Sequence, residues 1–325
     1  MRSRQRGVAL LVALLVVALA VILVAALLDR GELALARTRN VLRGEQAEAY
    51  ALGLDTYAAQ VLKATHGVSS DPDTNASPWA VPLPAQPVPG GVIGASMRDL
   101  NGCFNLNNLA PGGNAGNWVQ VFDDLLGALH LDTQLRAAVQ NWLDPAKIHD
   151  EENFYLAQAV PYRARGGLFA HVSELRLVRG VTSEVYARLA PHVCALPPGT
   201  TINVNTATVP VLMGLVGSAL SQAMAERLWQ NGTARWSTDQ FTQQLQQLSV
   251  PAPPALAARI TDRSTYFLLR GDIVLDEIPF TTWSLLEYQQ GGQGGGVHVL
   301  ARSRGSDEAL VVASPGLTQA QAPAL

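Results

Sequence analysis

Hydrophobic positions change their period along the chain. Val8 to Leu28 reads VALLVALLVVALAVILVAALL, with no charge and no proline. Roughly 20 such residues let a helix cross a hydrocarbon core about 30 Å thick. Past Asp29 the pattern turns amphipathic. Leu33, Ala36, Val41 and Leu42, then Tyr50, Leu54, Tyr57, Ala58, Val61 and Leu62, recur at the three-and-four spacing of one helical stripe. Arg30, Glu32, Arg37, Arg39, Arg43, Glu45, Glu48 and Lys63 take other positions. The pattern predicts one helix from about Val8 to about Thr65, on the order of 85 Å long. His66-Gly67 and the cluster Ser69-Ser70-Asp71-Pro72 end it.

Beyond it, Pro72 to Ala95 is rich in Pro, Gly, Ser and Ala and reads as an irregular connection with room for short strands. A short strand around Ala95 to Leu100 leads into Cys103-Phe104-Asn105-Leu106-Asn107-Asn108-Leu109. From Trp118 to Leu196 the period is again helical, and a second helical group lies between Ala207 and Ile260. Alternation typical of strands returns in Tyr266–Val274, Thr281–Tyr288 and Val297–Arg302, with Gly291–Gly296 as a hairpin connection. A helical block thus interrupts a sheet. Inside it FNLNNLA (Phe104–Ala110) and INVNTAT (Ile202–Thr208) form a weak repeat, each giving way to a helical stretch that Asn and Thr are placed to cap.

Composition adjusts this picture modestly. The 325 residues suffice for two or three domains; 48% are hydrophobic and only 15% charged. The apolar N-terminus accounts for most of that excess. A net charge of -3 removes the cationic footprint a nucleic-acid binder needs. Two cysteines are too few for a disulfide-dense scaffold or a four-thiolate zinc site. None of the six histidines shows HExxH spacing, there is no GxSxG elbow, and the glycine run lacks the Lys-Ser/Thr of a phosphate loop. His192 beside Cys194 reads as packing at a helix terminus, so no enzyme is expected.

Arg2, Arg4 and Arg6 precede the apolar run, which places the N-terminus in the cytoplasm and the bulk of the chain outside it. A cleavable secretory signal would have a shorter run and a small-x-small site, where this one ends Leu27-Leu28-Asp29. The leader and helix, Arg6-Gly7-Val8-Ala9-Leu10-Leu11, resemble those of type IV pilin-like proteins. That resemblance implies cleavage by prepilin peptidase between Gly7 and Val8, with methylation of the new N-terminus. Pilins usually carry glutamate at the fifth mature position, where it neutralises a neighbour's terminal amine inside the fibre; here it is Val12. Without the carboxylate, a neighbour's amine stays unpaired in an apolar setting, which points to a special position in the fibre.

Over nearly its whole length the chain closely resembles the type II secretion system minor pseudopilin K family. The carriers are RGVALL, the missing glutamate at Val12, FNLN, Trp142-Leu143-Asp144, Pro161-Tyr162-Arg163, Ser173-Glu174-Leu175 and INVNTA. The resemblance implies an α+β, pilin-like fold: a long transmembrane then amphipathic helix packed on an antiparallel sheet, interrupted by a large all-α insertion of helix-hairpin-helix or SAM-like units. The expected divisions are a leader at 1–7, a membrane segment at 8–28, the periplasmic helix at 29–65 and the start of the sheet at 66–103. The insertion follows at 104–262, in units of about 104–200 and 201–262, then C-terminal strands at 263–305 and a flexible tail at 306–325. The implied role is the tip of a periplasmic pseudopilus, assembled with minor pseudopilins I and J on the inner-membrane platform.

Two sites of interest follow. Family members bind calcium in the insertion, and Asp144, Asp150, Glu151 and Glu152 crowd hard oxygen ligands into one loop. The alternative is a solvated acidic turn starting a helix at Asp150. Cys103 and Cys194 are expected to pair in an oxidising periplasm, against the alternative of two buried thiols. A rival from another class is a membrane-anchored helix-hairpin-helix DNA-binding protein of the competence type, suggested by INVNTAT and by Glu174–Val181. Those hairpins use Gly-apolar-Gly, whereas Arg179-Gly180-Val181-Thr182 lacks the second glycine, so nucleic acid is not an expected partner.

Overall fold

The computed structural model describes residues 3–68, 71–112, 116–291 and 296–305, with the side chains of 3–8, 67–68, 116–117 and 150 outside that description. Helix α1 runs Ser3–Val68. At about 1.5 Å per residue it is roughly 100 Å long. Its N-terminal half is long and apolar enough to cross a membrane and touches nothing else in the protein. Its C-terminal half lies on a five-stranded antiparallel sheet of β1 (Leu83–Val88), β2 (Gly91–Asp99), β7 (Tyr266–Leu275), β8 (Ile278–Gln289) and β9 (Gly296–Arg304), in the order β1-β2-β7-β8-β9. Leu54, Ala58 and Leu62 meet Phe267, Leu269, Ile273 and Leu286 there, the stripe read from spacing. A register shift between Leu285 and Leu286 interrupts the β8–β9 ladder. Beyond it Arg302 pairs with buried Asp55 of α1 at 2.7 Å.

The sheet differs from the pattern reading at one edge. Within the connection read as irregular with room for short strands, Leu-Pro-Ala-Gln-Pro-Val forms β1. Proline has no N–H for an interior ladder, so an edge strand is the position that tolerates Pro84 and Pro87.

Between β2 and β7 the chain leaves the sheet and builds a helical block with two short parallel β pairs. The first unit opens with β3 (Phe104–Asn105) and closes with β4 (Val193–Cys194), enclosing α2 (Gly116–Ala128), α3 (Leu135–Leu143), α4 (Glu152–Leu156) and α5 (Ser183–Leu189). The second opens with β5 (Ile202–Asn203) and closes with β6 (Ile260–Thr261), enclosing α6 (Val209–Val216), α7 (Gln222–Trp229) and α8 (Thr238–Gln247). The acidic stretch expected to start a helix at Asp150 instead forms a 3₁₀ turn at Ile148–Glu151, and α4 starts at Glu152.

One hydrophobic cluster runs through both units, from Phe104 to Ile260, so they fold as one body. Helices α2 and α6 cross where Gly214 faces Val121 and Leu125; a Cβ there would lie 2.9 Å from the Val121 carbonyl oxygen and 3.0 Å from Leu125 Cβ. Glycine lets the two backbones approach. Gly214→Val overpacks this crossing and is expected to cost about 1–3 kcal/mol. Thermal unfolding of the purified protein checks it, and an unchanged melting temperature would mean the crossing has slack.

Candidate functional site

Burial and hydrogen bonding concentrate where α1 ends, the sheet begins and the block departs. Two buried carboxylates organise this junction. Asp73 follows α1, and its oxygens lie 2.9 and 2.8 Å from Nε2 of His66 in the last turns of that helix. The Trp79 indole donates to it at 3.0 Å, the Ser264 backbone N–H at 2.8 Å, and Arg263 Nε stands 3.8 Å away. Asp99 ends β2. Its Oδ2 accepts hydrogen bonds from the Ser264 hydroxyl at 2.8 Å, from the Asn203 amide at 3.4 Å and from the Thr206 hydroxyl, and Oδ1 accepts from Asn101 N–H at 2.6 Å. Asn203 also donates to the Asp73 carbonyl at 3.0 Å. A buried charge costs several kcal/mol unless donors surround it. These donors come from α1, the sheet and the second unit together, so the carboxylates hold three parts of the chain. Backbones close in too: a Cβ on Gly102 would sit 2.5 Å from the Thr206 carbonyl oxygen.

Burial dominates at Asp99 and, with a smaller contribution from Asp73, raises its pKa from 3.8 to about 6 despite the donors. Between those values the folded protein holds a proton that the unfolded chain has released. Stability from this group is therefore fully present below about pH 4, falls as pH rises through that window, and levels off above about pH 6. Asp99→Asn removes this dependence, so its stability relative to the parent should improve by roughly 2–3 kcal/mol between pH 4 and pH 7. Chemical denaturation of both proteins across that range measures the difference, and parallel curves would contradict the buried charge.

The repeat FNLNNLA/INVNTAT places the same device in each unit. The Asn107 amide donates to Phe169 O at 3.0 Å while Phe169 N–H donates back to its carbonyl oxygen at 2.8 Å. Asn205 does the same with Trp236, at 2.9 and 2.6 Å. Asn105 and Asn203 accept the backbone N–H of the residue two positions on, at 3.1 and 3.0 Å. These asparagines are buried, and each pins a distant loop to the start of its unit. Asn105 also caps the following 3₁₀ turn, as its position suggests, but Thr208 at the N-cap of α6 makes no cap bond. Its hydroxyl instead lies 2.8 Å from Nδ1 of His192, whose pKa burial lowers.

Cys103 and Cys194 form a disulfide, with Cα atoms 5.8 Å apart across a sequence separation of 91 residues. It closes the first unit beside the Leu100–Leu196–Tyr266 cluster, on the sheet face away from α1. For a loop of this length the chain-entropy model gives roughly 4–5 kcal/mol. Replacing both cysteines by alanine should lower the unfolding free energy by about that amount, read by denaturant titration; a loss under about 1 kcal/mol would mean the reduced chain is already constrained.

In the acidic loop the described carboxylates have partners within the first unit. Asp144 accepts the Ala146 N–H at 2.9 Å, which closes a turn after α3. Glu151 accepts from the Asn141 amide at 2.8 Å and from the Tyr155 hydroxyl at 3.3 Å. Glu152 stands 3.6 Å from Arg163. The side chain of Asp150 lies outside the described residues. Among the described residues no three His, Cys, Asp or Glu come together as a metal site would need.

At the N-terminus, Gly7 and Val8 lie within α1, and their surroundings are outside the described residues. Val12 is 55% exposed on the apolar half of α1.

Profiles of type II secretion system protein K match residues 102–198 and 202–261, the two units of the block. The protein of that name from Pectobacterium carotovorum subsp. carotovorum is 33% identical over 325 residues, spanning 94% of this chain and 98% of the relative. Its namesake from Pseudomonas aeruginosa is 33% identical over 323 residues, 94% of each chain. A chain in the crystal structure of the GspK-GspI-GspJ complex from the enterotoxigenic Escherichia coli type 2 secretion system superposes with a TM-score of 0.69 at 28% identity. That match covers 83% of this chain and 99% of the solved one.

Proposed function

This chain belongs to the type II secretion system protein K family, and from that premise we propose that it is the minor pseudopilin capping the tip of a periplasmic pseudopilus. In this reading it initiates assembly with minor pseudopilins I and J and supports protein export across the outer membrane. The observation that carries the reading is the placement of the helical block. His66, near the end of α1, binds Asp73, and Asp73 binds Asn203 of the block, so the bulky unit stands at the end of the helix opposite the membrane-spanning segment. A subunit built this way can take neighbours alongside α1, while the block obstructs another subunit above. Its solved relative in complex with two other chains supports the choice of partners.

The remaining parts fit this role. The apolar half of α1 anchors the chain in the inner membrane with a cytoplasmic N-terminus, prepilin peptidase cuts between Gly7 and Val8, and the secretion platform extracts the product. Valine at position 12 suits a subunit that accepts no neighbour above it. The family is a structural component of the export machine, so no catalytic role is assigned.

The competence-type alternative is less well supported. Helices α6 and α7 do form a hairpin, but its loop reads Gly217-Ser218-Ala219-Leu220, and the Asp124 carboxylate faces Gly217, 3.3 Å from where a Cβ would project. A carboxylate there opposes a phosphate. Calcium at Asp144, Asp150, Glu151 and Glu152 is a separate proposal, and uptake would have to draw Glu151 away from Asn141 and Tyr155. Saturable calorimetric heat that Glu151→Gln abolishes supports it; no heat and no gain in stability overturns it.

The decisive experiment for the main reading is co-purification. The soluble part from residue 29 onward should elute in a stoichiometric complex with minor pseudopilins I and J, and its failure to bind either would refute the assignment. In cells, Gly7→Val should leave the precursor uncut and abolish export, and normal maturation would overturn the cleavage assignment.

A further inference from the structure

Between its apolar half and the sheet, helix α1 is bare. Every residue from Asp29 to Leu42 is exposed, and among the described residues the first hydrogen bond or ion pair from α1 to the sheet is Arg43 Nε to Asp276 at 2.9 Å. Roughly 20 Å of helix thus stands without support from the fold. A helix of that length is marginal in water unless packing holds it. The half that follows is held, because Leu54, Ala58 and Leu62 are buried against the sheet.

The sequence weakens the same stretch from within. Gly31 and Gly44 bracket it, and a Cβ on either would meet nothing else within 4 Å, so neither glycine makes room for another part of this chain. What glycine does supply in a helix interior is backbone freedom, which lowers helix stability relative to alanine. Side-chain pairs give no compensation. None of Asp29, Arg30, Glu32, Arg37 and Arg39 has an opposite charge three or four positions away, whereas Glu32 follows Asp29 by three and Arg43 follows Arg39 by four as like charges. The Thr38 hydroxyl also donates to the Ala34 carbonyl at 3.0 Å, a bond that competes with the backbone ladder and favours bending.

Missing packing, two unneeded glycines, like-charge neighbours and a back-bonded threonine coincide in one place. Resting on the reading of the apolar half as a membrane anchor, we propose that the stretch from Asp29 to Gly44 is a joint, at which α1 bends so that the body tilts relative to the membrane-held half. The segments on either side stay helical, one in lipid and one on the sheet. An anchored subunit built this way offers its flank to partners over a range of angles before it leaves the membrane.

The test uses the full-length chain in bilayers of phosphatidylethanolamine and phosphatidylglycerol, with spin labels carried by Val24→Cys and Leu52→Cys, both exposed positions of α1 on opposite sides of the joint. A straight helix would hold these positions about 42 Å apart. The parent should give a broad distance distribution reaching well below that value, and Gly31→Ala with Gly44→Ala should narrow it at least twofold and move it toward the straight-helix distance. A narrow parental distribution at the straight-helix distance, or a double variant as broad as the parent, would overturn the joint. So would a narrow parental distribution combined with lost co-purification of minor pseudopilins I and J in the double variant, since the glycines would then make room for a neighbouring helix. A water-soluble relaxation agent that reaches the label at position 24 as freely as the one at position 52 would strike the anchor reading instead, and the distances would still judge the joint.

Discussion

Two carboxylates buried at one seam determine how the rest of the protein is arranged. An isolated charge in such a place would be untenable, and Asp73 and Asp99 persist because α1, the sheet and the second helical unit each supply donors. Removing any one contributor leaves a buried charge underserved, which costs more than one lost hydrogen bond. The chain leaves the sheet after β2 and returns to it at β7 across this seam, with Asn101 binding Thr201 on one side and Thr265 and Tyr266 on the other. Both crossings are thereby locked to the end of α1.

That lock connects the long helix to the helical block. Along the body, Asp55 with Arg302, Glu48 with Arg304 and Arg43 with Asp276 tie α1 to the sheet in partly exposed pairs that contribute little individually. Beyond the seam the block is rigid in its own right, through a common core and the paired asparagine clamps on Phe169 and Trp236. A displacement of α1 along its axis is therefore passed to the helical block as a whole, the mechanical property that the proposed role at the head of a fibre would need.

How much of this was legible in sequence depended on the range of the interactions. Helix α1 and strands β7, β8 and β9 are written in local periodicity, and the structure places them within a few residues of the expected bounds. Strand β1 was allowed for as a short strand but not placed, because its prolines read as loop, a bias that its edge position relaxes. The cysteines could be named as partners, but their separation depends on how the whole first unit closes. In the acidic loop, Glu151 and Glu152 turn to Asn141, Tyr155 and Arg163, partners that spacing alone does not indicate. The junction had little local signal: His66 and Trp79 lie near Asp73 in sequence, but Asn203, Thr206 and Ser264 meet Asp99 from more than a hundred residues away. A faint trace lay in the repeated Asn-x-Asn of FNLN and INVN, whose buried amides organise both units.

The rigidity of the seam is most directly measured by pulsed electron–electron spin resonance between labels at exposed Gln60 on α1 and Gln246 at the end of α8. A locked seam predicts a single narrow distance distribution that broadens when Asp99→Ala removes the acceptor of Ser264, Thr206 and Asn203. A broad distribution in the parent protein, or one unchanged by the substitution, would contradict it.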